Sequence, residues 1–240
     1  MIVYPEDWRN RGSYPSLLEI DNLILTIIEE LDCKNLSLSG GLDSSLLLWY
    51  MIKVFGSKKV KCFNSTYSVK HPDYFYSEQV TRCLGVDCYH FILDESILAE
   101  KRLLSKLPGD EIISVFYNNL QFFHHISDII TGDGIDEIAG GYYTHADKPT
   151  DETYFDFLRR LQKEQLEPLN INSGDIKVFL PYMDYRLISL LSFIPLWDKF
   201  SLGHRKKIIN NLAKGKIPDA IIKRRKYGFC DAAVIKEDEK

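Results

Sequence analysis

The sequence predicts an α/β fold with a parallel sheet, and three observations carry that expectation. Short strand candidates alternate with longer helical periodicities from about residue 16 to residue 150, the pattern of strand–crossover–strand units covered on both faces. The first strand candidate runs into a Gly-rich turn that opens a helix, Ser39-Gly40-Gly41-Leu42-Asp43-Ser44-Ser45. The fourth runs into a second turn rich in glycine and acids, Gly132 to Tyr142. In such sheets ligands sit at the carboxyl ends of the strands.

Taken in order, residues 1–15 are irregular, with Pro5, Gly12 and Pro15. Ser16 is placed to cap a helix to about Asp32, whose Leu17, Ile20, Ile24, Ile27, Ile28 and Leu31 share one face. Asn35 to Leu38 reads as a short buried strand, and the apolar run from Leu46 to Ile52 as a buried helix that stops near Gly56. Lys59 to Asn64 alternates as a strand does. Helices are expected over Asp73–Leu84, Asp94–Leu107 and Glu111–Ile126, with strands over Val86–Leu93 and Asp128–Thr131. Beyond about Thr150 helical signals dominate. The chain therefore reads as one domain over 1–240, with an α/β core at about 16–150 and a helical part at about 151–240.

The first turn has the makings of an anion site. Its glycines let backbone approach a ligand, and the helix start offers N–H groups with no intrahelical partner and a positive dipole end. Ser39, Ser44 and Ser45 can donate to phosphate oxygens. Asp43 would repel bound phosphates unless a cation lay between, which points to a magnesium ligand. A Gly-Gly pair alone also fits an ordinary capped turn; the full seven residues after a strand favour the anion site. The second turn holds three acids, Asp133, Asp136 and Glu137, and four glycines within eleven residues. A solvated acidic helix start explains one or two of those acids and leaves the glycines unexplained. Side by side at the sheet edge, Asp43 and Asp136 could share one magnesium and neutralise a triphosphate.

Composition removes several other classes. The chain has 240 residues, 45% of them hydrophobic, and a net charge of −4, so nothing draws it globally to nucleic acid or membrane. Residues 1–12 carry no apolar run, so no signal peptide is expected, and Leu46–Ile52 is too short to span a bilayer. The five cysteines are scattered without a C-x-x-C pair, which argues against a zinc or redox motif and for free thiols in a reducing cytoplasm. Neither a Walker A loop nor a dinucleotide fingerprint occurs. No histidine is assigned to catalysis. From Lys199 to Lys226 there are ten Lys or Arg and one acid, Asp219. That run is either a solvated basic face that could touch nucleic acid or the cation supply of a triphosphate site.

Ser39 to Ser45 resembles the pyrophosphate loop of the ATP pyrophosphatases, SGGxDS. The further stretches are similar, in the same order, to those of the asparagine synthetase family. Gly132-Asp133-Gly134-Ile135-Asp136-Glu137 through Tyr142 is similar to its GEGADELFGGY, and Leu180-Pro181-Tyr182-Met183-Asp184 to its V-P-F-L-D. Lys206-Lys207-Ile208-Ile209 resembles its K-x-x-L, and Arg224-Arg225-Lys226-Tyr227-Gly228-Phe229 its R-x-K-x-G-F. The resemblance covers about residues 16 to 229. It implies an ATP-pyrophosphatase-type fold and a ligase that uses ATP and Mg2+ to adenylate a carboxylate, releasing pyrophosphate. An amine or ammonia then forms an amide and releases AMP. It places ATP on Ser39, Gly40, Gly41, Leu42, Asp43, Ser44, Ser45, Gly132, Asp133 and Gly134. It places the metal on Asp43 and Asp136, and the catalytic lysines at Lys206 and Lys226.

The acceptor half departs from that family. Counting back from Pro181, its G-x-E-x-R-x-P glutamate position holds Lys177 and its arginine position Phe179, while Asn210 replaces the arginine of K-x-x-L-R. Asp175, two residues before Lys177, would share its face on a strand. Lys177, Asp175 and Glu137 are thus the substrate-side candidates, and a protonated Lys177 would attract an anionic group. Only 38 residues precede the loop, so no N-terminal glutaminase domain is expected, and ammonia would be free or supplied by a partner protein. Two other functions remain open: an ATP pyrophosphatase that modifies tRNA or another nucleic acid, and a non-catalytic nucleotide-binding subunit.

Overall fold

The computed structural model describes residues 14–66, 68–93 and 110–226. Five parallel strands form one sheet: β1 Asn35–Ser37, β2 Lys61–Thr66, β3 Cys88–Ile92, β4 Asp128–Ile130 and β5 Lys177–Phe179, in the order β3-β2-β1-β4-β5. β1 pairs with β2 through Leu36↔Cys62 and with β4 through Leu36↔Ile130. The chain leaves β1 toward one side of the sheet and later returns to build the other side from β4. That reversal lies between β1 and β4, where a ligand crevice opens beyond the carboxyl ends of the strands.

Strand alternation divides the core in two. Leu36, Cys62 and Ile130 belong to one buried cluster; Phe63 and Ile129 belong to the other. The first cluster is covered by α1 (Leu17–Leu31), α2 (Leu42–Phe55) and α3 (Pro72–Leu84). The second is covered by α4 (Asp110–His124), through Phe116, Tyr117 and Leu120. α1 starts at Ser16, whose side chain and that of Glu19 satisfy each other's backbone N–H groups in a capping box. It buries Ile20, Ile24, Ile27 and Ile28, four of the six residues expected on its inner face.

The remaining described α-helices are α5 (Ile135–Ala139), α6 (Tyr143–Asp147), α7 (Asp151–Leu161), α8 (Glu167–Asn172), α9 (Tyr185–Ser192), α10 (Leu196–Lys199), α11 (Lys207–Ala213) and α12 (Asp219–Lys223). A π-helical turn, Gln162–Leu166, joins α7 to α8. No described helix is long and apolar enough to cross a membrane.

Two expectations shift. β2 begins at Lys61 rather than Lys59, because Lys59 N–H closes a turn onto Gly56 O at 3.1 Å; the strand then continues until Thr66 pairs with Ile92. The helix expected over Asp94–Leu107 lies outside the described residues. β5 falls within the part read as helical, because three residues are too few to show an alternation. The main core also ignores the boundary near residue 150. Leu187 and Leu191 of α9 and Ile209 and Leu212 of α11 sit in one cluster with Ile24 of α1 and Leu47 of α2.

Candidate active site

The two turns singled out in the sequence meet at the reversal point, where they line a cleft of about 1110 Å³. Gly40 adopts φ +66°, and a side chain there would begin 2.3 Å from Ser77 N in the body of α3. Only glycine lets the loop lie this close. Gly41 N–H donates to Ser39 Oγ at 3.2 Å, and the Ser39 and Ser44 hydroxyls are 3.1 Å apart. Ser39, Gly41, Leu42, Asp43 and Ser44 line the cleft, as do Gly132, Asp133 and Gly134 of the second turn. Gly40 supports the turn from behind. Ser45 is fully buried and absent from the lining, so the structure gives its hydroxyl no access to a phosphate.

Asp43 and Asp136 converge as expected, with a lysine between them. The ammonium of Lys206 bonds Asp43 Oδ2 and lies 2.6 Å from Asp136 Oδ1. The ammonium of Lys226 reaches Asp136 Oδ2 at 2.5 Å and sits 4.5 Å from the centre of the Tyr142 ring. Gly141 makes room for this group: a Cβ there would fall 1.8 Å from Asp136 Oδ1 and 2.2 Å from Lys206 Cε. Lys206 itself is buried and holds the left-handed φ of 48°, the sort of costly backbone that functional sites retain. Burial alone would raise the Asp136 carboxyl, but Lys206 and Lys226 outweigh it and hold it well below the usual carboxylate range. Burial pushes the Asp43 carboxyl up, with Asp136 adding to the rise and Lys206 opposing it. Burial disfavours charge on Lys206, yet its two carboxylate partners raise it above the usual lysine value.

The donor set fits a hard divalent cation. Two carboxylates face one another, and Asp43 Oδ1 is buried with no hydrogen-bond partner. Mg2+ takes one or two carboxylates and completes its shell with phosphate oxygens and water. Among the described residues no group of three or more His, Cys, Asp or Glu is placed to hold a metal.

Glu137 is buried on α5 and accepts a bond from the Tyr142 hydroxyl at 2.6 Å. Burial raises its carboxyl, Asp136 adds to the rise, and the Tyr142 bond opposes it. Glu137 lines the cleft. Lys177 and Asp175 do not. Lys177 pairs in register with Asp128 at the amino end of the sheet, opposite the cleft, where it is exposed with its ammonium 4.7 Å from the Phe179 ring centre. Asp175 lies in the turn before β5 rather than on the strand, and its Oδ2 accepts from Gln121 at 3.4 Å. The register of three strand residues put both at the wrong end, which counting back from Pro181 could not reveal.

Sequence reasoning missed Asp73 and Tyr182. Asp73 at the start of α3 lines the cleft and pairs with Arg224; Tyr182 Oη donates to Asp43 O at 3.1 Å. Arg224 and Tyr182 carried a signal as members of motifs, and Asp73 carried none. The basic run from Lys199 to Lys226 does not form one surface face. Lys199 and Lys206 are buried, Lys216 pairs with Asp21 and Arg224 with Asp73.

Residues 35–174 and 172–238 match the family model described as Asparagine synthase. The chain is 26% identical over 222 residues to a probable glutamine-hydrolyzing asparagine synthetase of Acanthamoeba polyphaga mimivirus, covering 83% of this chain and 40% of that protein. It is 25% identical over 217 residues to the glutamine-hydrolyzing asparagine synthetase of Gallus gallus, covering 81% and 38%. The chain thus spans about two fifths of the length of these curated relatives. The solved structure of NMN synthetase from Francisella tularensis superposes with a TM-score of 0.47 at 12% identity, covering 95% of this chain and 78% of that one.

Proposed function

The chain belongs to the asparagine synthase family, and from that premise we propose that it is an amide-forming ligase that activates a carboxylate with ATP and Mg2+. The reading rests on one observation above all: Asp43 and Asp136, from two turns distant in sequence, meet with two lysines between and beside them. Four alternating charges at one cleft wall are costly to bury without a polyanion or metal to serve.

Each residue of the cleft wall has its own part. N–H groups at the start of α2 and in the 132–134 turn, with the Ser39 and Ser44 hydroxyls, bind the phosphates. Asp43 and Asp136 are the residues that would hold Mg2+, which supplies charge neutralisation at the β- and γ-phosphates. Lys206 and Lys226 balance charge as the substrate carboxylate attacks the α-phosphorus and pyrophosphate departs, giving an acyl-adenylate. An amine then attacks the acyl carbon, AMP leaves, and Glu137 takes the amine proton at its carboxylate. Burial keeps that carboxyl a stronger base than an ordinary glutamate. The amine is ammonia or a primary amine, free or delivered by a partner protein. The free thiols Cys33, Cys62, Cys83 and Cys88 fit work in the cytoplasm.

The reading is tested by screening carboxylic acids for exchange of labelled pyrophosphate into ATP, then analysing products once an amine is added. AMP and pyrophosphate are the expected products; ADP and phosphate would refute it. The dispersal of the basic run favours a small-molecule acceptor over nucleic acid.

A further inference from the structure

The strap that carries Lys226 is fastened by a residue with no role so far. α12 ends at Lys223 and the chain continues extended, with Arg224 at φ −63°, ψ 149°. In extended backbone, residues two apart share a side. Arg224 and Lys226 both line the cleft, while Arg225 between them is exposed. The Arg224 guanidinium is almost wholly buried, with 5% of its side chain exposed against 6% for Asp73. Its Nη1 donates to Ser39 O, the first carbonyl of the phosphate loop, at 3.1 Å. Its Nη2 bonds Asp73 Oδ1 at the start of α3, and its Cζ lies over the Tyr76 ring, 4.7 Å from the ring centre. Three pieces distant in sequence therefore meet on one fork, which a lysine could not reproduce because it lacks two directed donors and a flat face to stack.

We propose that Arg224 is a positioning residue whose clamp on Ser39 and Asp73 holds the Lys226 ammonium at Asp136 and couples the strap to the phosphate loop. The proposal rests on the proposed nucleotide site, of which it supplies the closure. Stability alone gives little reason to keep this pair, since buried ion pairs are often matched by apolar residues of similar size.

The test uses the ATP-free protein. Trace acetylation with acetic anhydride, read by peptide mass spectrometry, reports the reactivity of Lys226 against exposed Lys58 and buried Lys206. Two variants are compared with the parent: Arg224→Lys, and the pair Asp73→Leu with Arg224→Met, which leaves no unpaired buried charge if the first fails to fold. Labelling of Lys226 is expected to rise roughly tenfold in both, as the loss of a charged hydrogen bond implies, with Lys206 unchanged. Unchanged Lys226 labelling in a folded variant overturns the proposal, as does a parallel rise at Lys206, which would mean general loosening. Calorimetric titration with Mg·ATP is the second arm, where the variants should bind roughly tenfold more weakly. Failure of the parent protein to bind Mg·ATP would overturn the proposed function, and the labelling result would still decide the clamp.

Discussion

At Asp136 two ammonium groups share one carboxylate, one on each oxygen, at 2.6 and 2.5 Å, so its charge is fixed by geometry that no neighbour in sequence provides. Asp136→Asn and Asp43→Asn are each expected to lower Mg2+-dependent pyrophosphate exchange by roughly 100-fold or more, because an amide is a poor ligand for a hard cation. Thermal melts should stay cooperative; near-normal exchange in either variant would refute the metal assignment. Lys177→Glu is expected to leave exchange and products unchanged, since Lys177 is exposed at the far end of the sheet. A gain of asparagine formation from aspartate and ammonium in that variant would contradict this placement. The acceptor half is therefore to be sought at Glu137 and Tyr142, which were legible only in part. The acidic turn marked Glu137, while the bond from the Tyr142 hydroxyl depends on how α5 and α6 fold against one another.

At the scale of elements, α5 carries Asp136 and Glu137 on only five residues and owes its position to the helices beneath it. Tyr154 Oη on α7 donates to Ile138 O at 2.8 Å and accepts from Lys199 Nζ of α10 at 2.9 Å. Burial alone pushes the Lys199 ammonium down to about 7, from an ordinary 10.5. The unfolded chain thus binds this proton more tightly, and the lysine destabilises the fold most below pH 7. Its contribution improves as pH rises from 7 toward 10.5. Above about 8.5 the thiols of Cys33, Cys62 and Cys88, held high by burial, begin to oppose it. Melting temperature is therefore expected to rise between pH 7 and 8.5. Lys199→Met should melt roughly 2–8 °C higher at pH 7 and lose much of that rise. An unaltered pH profile in the variant would show that Lys199 is charged in the fold.

At the scale of the molecule, the first four strands and their helices are not a unit separate from the C-terminal helices. Leu187, Leu191, Ile209 and Leu212 share a core with Ile24, Leu47 and Leu36, and β5 completes the sheet beside β4. Residues 14–150 expressed alone are expected to lack a cooperative thermal transition, because the inner faces of α1 and α2 would lose their cover. A sharp melt of that fragment would refute this.

The sequence by itself determined the parallel α/β class, the helix from Ser16 and the two turns that meet. Each is written in short-range terms: an apolar period, a cap, a glycine pair, a motif a few residues long. The tertiary structure alone decided that β5 joins the sheet, that Lys177 and Asp175 lie at the wrong end of it, and that Ser45 faces inward. It alone joined Asp73 to Arg224. Those outcomes turn on strand register and on pairs up to 151 residues apart. Three-residue strands have too little pattern to fix a register, and a long-range ion pair leaves no local mark on either partner.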